Sequence, residues 1–175
     1  MPPPSTSFLK SFIHSKSGHI IQPEKVPLDS LWKILVCDDS DVCRKSVVRI
    51  LSADGHITDE AKDGVECVLL AELAVGDGDP YDAVVMDDEM PFLTGPNTTR
   101  VLRAKGFHKT VIVGLTGEHR EDVLQNYRDC GADFVMRKPL TLTCWRRIYI
   151  SLKSTGEDGF SASLVGSSKI EKGSA

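Results

Sequence analysis

The residues best suited to chemistry stand where short apolar runs break off. Asp38 and Asp39 follow one such run, Asp87 closes a second, Thr116 a third, and Lys138-Pro139 a fourth. If each run is a strand of one parallel sheet, three carboxylates, a hydroxyl and an ammonium gather at a single sheet edge. Carboxylates brought together without compensation repel and raise one another's pKa, so the cluster calls for a divalent cation or a retained proton. Mg²⁺ is the expected occupant, because it is hard, octahedral and commonly held by one or two carboxylates, water and a phosphate oxygen. Lys138 adds a movable positive charge and Thr116 a hydroxyl donor. A carboxylate nucleophile, a cation, an ammonium and a hydroxyl are the parts that phosphoryl transfer uses.

The elements that must carry these residues are legible as an alternation. Residues 34–37, 83–86 and 111–115 are continuous apolar runs of strand length, as expected for strands buried on both faces, with 57–61 and 134–136 as weaker strands. Between them, Cys43, Val47, Ile50 and Leu51 fall at i, i+4, i+7 and i+8, and Val65, Val68, Leu69, Leu70 and Leu73 repeat such a face. Further helices are expected over 95–104, 118–129 and 141–152, with Gly55, Gly64, Gly106 and Gly131 at the junctions. The expected fold is therefore α/β, a flavodoxin-like (βα)5 unit with a doubly wound, parallel, five-stranded sheet.

The 175 residues allow one domain with flanks. Residues 1–30 hold five of the nine prolines and six serines and read as a flexible arm, in which Phe8, Leu9, Phe12 and Ile13 make a short apolar face. Residues 154–175 hold six serines and four glycines and read as a disordered tail, leaving 31–153 as the folded unit. With 41% hydrophobic and 26% charged residues, the composition is that of a soluble globular protein. A net charge of −4 without a basic run argues against direct nucleic-acid binding, and no apolar stretch reaches the ~20 residues of a membrane span. Five cysteines without a Cys-x-x-Cys pair point to a reducing compartment and a cytoplasmic location.

Four segments, KILVCDDSD, DAVVMDDEMP, VIVGLTG and GADFVMRKP, resemble in order and spacing the signature segments of response-regulator receiver domains, over residues 32–153. Arg44-Lys45, the Thr116-Gly117 step and GPNTTR at 95–100 are most similar to receivers of hybrid histidine kinases. The resemblance implies that Asp87 is the phosphoacceptor, and that Asp38, Asp39, Asp87 and the backbone carbonyl of Glu89 hold Mg²⁺. It further implies that Thr116 and Lys138, the latter set by Pro139, contact the phosphoryl group. The implied partner is a histidine kinase or a histidine phosphotransfer protein, with no kinase core in this chain. The resemblance also allows a homodimer through the fourth and fifth helices, where Leu142, Trp145, Ile148, Tyr149 and Leu152 offer more apolar surface than one face needs.

Three positions depart from the family pattern. Val135 stands where an aromatic switch residue is usual, Glu89 where the rate of water attack is set, and Asp88 adds a fourth carboxylate that is expected to point away from the pocket. Taken singly, each candidate has a plainer reading. An Asp pair caps the next helix, a Thr ends a strand, a Lys is a solvated charge, and Cys37 and Cys43 are small buried hydrophobes. The rival functions are a Mg²⁺-dependent aspartyl phosphohydrolase of haloacid-dehalogenase type, disfavoured because no Asp-x-Asp starts at Asp87, and a pseudo-receiver docking module, suggested by Val135.

Overall fold

A computed structural model describes residues 31–118 and 120–154, with the side chains of 153 and 154 outside the description. The arm over 1–30 and the tail beyond 154 therefore lie outside the described residues. Strands β1 (Lys33–Cys37), β2 (Ile57–Ala61), β3 (Ala83–Asp87), β4 (Val111–Thr116) and β5 (Phe134–Arg137) alternate with helices α1 (Asp41–Ala53), α2 (Gly64–Gly76), α3 (Gly95–Ala104), α4 (Glu121–Asp129) and α5 (Leu142–Ser154). The strands form one sheet in the order β2-β1-β3-β4-β5, and every pairing is parallel. The expected doubly wound α/β fold is thus the observed one.

Strand alternation splits the core in two. Leu35, Cys37, Val84, Met86 and Ile112 face Cys67, Val68 and Ala71 of α2 and Leu102 of α3. Ile34, Val36, Val85, Val113 and Leu115 face Val47 and Leu51 of α1 and Trp145 and Ile148 of α5. Each central strand is sealed on both sides, which is why it reads as an unbroken apolar run. β2, at the edge, has three exposed positions and reads more weakly.

Local signals fix the helix ends. Ser40 caps α1 by accepting from Cys43 N–H, and Asp63 caps α2 by accepting from Glu66 N–H at 2.8 Å, while Glu66 accepts in return from Lys62 N–H. Gly106 and Gly131, with φ of 93° and 96°, take the left-handed turn that follows α3 and α4. α4 begins at Glu121 rather than 118. Glu118 N–H is instead donated to Thr116 Oγ1 at 3.0 Å, which turns the chain at the end of β4 before a helix can start.

Far from the carboxyl ends of the strands, a second polar cluster ties α5 to α1 and β2. Arg146 Nε donates to the fully buried Asp54 at 2.8 Å, and Trp145 Nε1 donates to His56 Nε2 at 2.9 Å. Trp32 sets its ring edge-on to Trp145 and Tyr149. The aromatic surplus of α5 is spent here: Trp145, Ile148 and Tyr149 are buried, leaving Ile150 as the exposed large apolar residue of that helix.

Candidate functional site

β1 and β3 are neighbours at the point where the strand order reverses, so Asp38-Asp39 and Asp87 end side by side. One carboxylate oxygen from each of Asp38, Asp39 and Asp87 lies within 4.8 Å of the others. Lys138 arrives from the end of β5, with Nζ 2.6 Å from Asp87 Oδ1 and 3.0 Å from Asp38 Oδ2. Its peptide bond to Pro139 is cis, and its N–H donates to Thr116 O at 2.8 Å. Asp39, Asp87 and Lys138 line an open pocket of about 340 Å³ together with Asp88, Glu89, Gly117 and Glu118.

Charge and burial shape this cluster. Asp38 and Asp87 are buried and Asp39 is exposed, so one carboxylate faces water while two rely on partners. Burial, opposed by the Lys138 bond and reinforced by the Asp38 charge, pushes the Asp87 carboxyl up to about 6. For Lys138 the burial penalty is outweighed by bonds to Asp87 and Asp38, which raise its pKa. Three carboxylates against one ammonium leave excess negative charge on an all-oxygen donor set, which fits a hard divalent cation such as Mg²⁺.

The structure brings together Asp38, Asp39, Asp87 and Lys138, places Glu89 on the pocket wall, and sets Thr116 at the adjacent strand end. Val135, on β5, pairs with Gly114 of β4 and is half-buried, away from the pocket lining. One expectation fails. Asp88 does not point away: it lines the pocket, and its Oδ2 accepts the Thr116 hydroxyl proton at 2.5 Å. Strand alternation would send Asp88 to the face opposite Asp87, but β3 ends at Asp87 and the alternation ends with it.

Two residues support the site in ways the motifs do not state. Arg44 is buried on α1 and donates to Asp38 O at 2.8 Å while pairing with Glu60 and Asp41, so it fixes the acidic pair from behind. Tyr127, fully buried on α4, donates its hydroxyl toward Asp87 O at 2.7 Å and Met86 O at 3.0 Å. Its ring lies against Gly114, where an added Cβ would stand 2.8 Å from two ring carbons, and Gly95 leaves room for its hydroxyl. A glycine inside the apolar run VIVGLT was the signal that something bulky approaches that strand.

Among the described residues, no helix is long and apolar enough to cross a membrane. The family model "Response regulator receiver domain" matches residues 34–146. The two-component response regulator ARR22 of Arabidopsis thaliana is 33% identical over 113 residues, covering 63% of this chain and 76% of that protein. Probable histidine kinase 2 of Oryza sativa subsp. indica is 32% identical over 129 residues, covering 67% of this chain and 12% of the kinase, so the chain spans only a small part of that relative. Among solved structures, the receiver domain of a Pseudomonas aeruginosa sensor histidine kinase, with a magnesium ion coordinated in its active-site cleft, superposes with a TM-score of 0.60 at 27% identity, over 69% of this chain and 96% of that one. The fold, the order of the motifs and the family match over 113 residues agree: this chain belongs to the response regulator receiver family, the non-kinase receiver module of two-component signalling.

Proposed function

We propose that Asp87 accepts a phosphoryl group from a phosphohistidine, carried by a histidine kinase or a histidine phosphotransfer protein. The observation that carries this reading is the Lys138 ammonium, bonded to both Asp87 and Asp38 at the carboxyl edge of the sheet with Asp39 in reach. An Asp87 oxygen would attack phosphorus, the bond to the histidine nitrogen would break, and the electron pair would leave with the imidazole. Lys138 would move from the carboxylates to the transferred oxygens, meeting the charge that builds there. Asp38, Asp39 and Asp87, with the Glu89 carbonyl, would hold Mg²⁺, which supplies the charge neutralisation that an acidic pocket needs to admit an anionic donor. Arg44 and Tyr127 keep the Asp38 and Asp87 backbones in place, so the reacting carboxylate needs little reorganisation.

Exposed apolar side chains at the same edge support docking of a protein donor. Val42 at the start of α1 and Phe92 in the loop after β3 are 80% and 91% exposed, and Phe92 is held at φ 66°. The reading is tested by incubating the chain with acetyl phosphate and Mg²⁺ and measuring intact mass. Wild type should gain one phosphoryl group and Asp87→Asn none. Equal gain by both proteins, or no gain by wild type, refutes it.

A further inference from the structure

Asp88 and Thr116 make a contact for which the proposed transfer has no use. Thr116 Oγ1 donates to Asp88 Oδ2 at 2.5 Å and accepts from Glu118 N–H at 3.0 Å. A hydroxyl carries one hydrogen, and here the amide holds the oxygen while the carboxylate takes the proton in a charge-assisted bond. Thr116 is fully buried at the end of β4 and cannot turn freely to another acceptor. Asp88 is anchored as well. Its N–H donates to Leu115 O at 3.0 Å and to Asp87 Oδ1 at 2.8 Å, and its carbonyl accepts from Gly95 N–H at 3.0 Å.

We propose that Asp88 is a positioning residue that holds the Thr116 hydroxyl in reserve, competing with a phosphoryl group on Asp87 for its single hydrogen. The inference rests on Asp87 being the acceptor. A phosphoryl oxygen reaching Thr116 must first break the bond to Asp88, and the carboxylate so released stays beside the new anion in the same pocket. Both effects oppose the phosphorylated state, and they are separable because only the first needs the hydroxyl.

The test is a double-mutant cycle on the full chain. Beryllium fluoride with Mg²⁺, a tetrahedral stand-in for a phosphoryl group on a carboxylate, is titrated by calorimetry into wild type, Asp88→Ala, Thr116→Val and the double variant. Asp88→Ala should tighten binding about tenfold while Thr116 is present, and much less once Thr116 is valine. Asp88→Asn, which keeps an oxygen able to accept the hydroxyl proton, should fall nearer wild type than alanine does. Equal tightening in both backgrounds, or an asparagine variant that matches alanine, means that Asp88 only repels the anion, and overturns the proposal. Unchanged affinity in Asp88→Ala overturns it too. Absence of binding by all four proteins removes the Asp87 reading together with this one, whereas binding without coupling removes only this one.

Discussion

Gly114→Ala should damage this protein far more than a single methyl group usually does. The new Cβ would lie 2.8 Å from two carbons of the Tyr127 ring and 2.9 Å from a third, where ordinary contact begins near 3.4 Å. Neither side can give easily: Gly114 is in a central strand between β3 and β5, and Tyr127 is fully buried with its hydroxyl on Asp87 O and Met86 O. Overpacking a rigid site costs about 1–3 kcal/mol. A ring displaced far enough to clear the methyl also strains or loses its hydroxyl bonds, adding about 1–2 kcal/mol for buried groups left short of a partner. The expected cost is therefore about 2–5 kcal/mol, roughly a third of the stability of a typical domain. Urea unfolding followed by circular dichroism reads it directly, as a lower midpoint with little change in slope. Tyr127→Ala alone should cost about 3–5 kcal/mol, but the double variant should cost at least about 1 kcal/mol less than the sum, because the methyl then meets no ring. A Gly114→Ala midpoint equal to wild type, or costs that simply add, would mean that the ring does not block a side chain at position 114.

Three other outcomes follow from the described contacts. Arg146→Leu strips the fully buried Asp54 carboxylate of its guanidinium partner, leaving His56 3.9 Å away, and should cost about 3–5 kcal/mol in the same assay, with Asp54→Asn relieving part of it. Burial, against the pull of Asp54 and Asp82, lowers the His56 pKa from 6.5, so below that pH the unfolded chain binds a proton the native state refuses, and this contribution to stability is lost as pH drops below 6.5. Asp87, with its pKa raised, contributes in the opposite sense, so the His56 effect is read as the part of the pH slope that His56→Gln removes. Asp39→Asn takes a charge from the exposed carboxylate of the cluster and should weaken Mg²⁺ binding, followed by calorimetry, about tenfold while leaving the unfolding midpoint near wild type.

How much the sequence disclosed depended on whether a residue's role is local. The strands read correctly because each central one is buried on both faces, and the polar residues that end them fell at one edge as a direct consequence of parallel order. Helix α3 matched its expected span, since Pro96 opens it and Gly106 follows its end. The start of α4 was misplaced by three residues because its determinant is not in the helix: Thr116, on the preceding strand, takes the Glu118 amide. Asp88, expected to point away, turns into the pocket because β3 ends at Asp87 and a partner far along the chain, Thr116, takes its carboxylate. Tyr127 was hidden because a helix pattern marks it as buried without saying that its hydroxyl reaches a carbonyl 40 positions away in the chain.

The backbone around Asp87 is held from several elements. The Asp87 carbonyl is held from α4, the Asp38 carbonyl from α1, and Asp88 is pinned between β4 and α3. Rigid placement suits a chemistry that is mostly positioning.

The most direct measurement locates the phosphoryl group itself. The chain, phosphorylated by a phosphohistidine donor protein with Mg²⁺, is reduced with borohydride, which converts an aspartyl phosphate to homoserine, and the peptides are sequenced by mass spectrometry. Homoserine is expected at position 87 and aspartate at 38, 39 and 88. Homoserine at any of those three, with Asp87 unchanged, would contradict Asp87 as the acceptor.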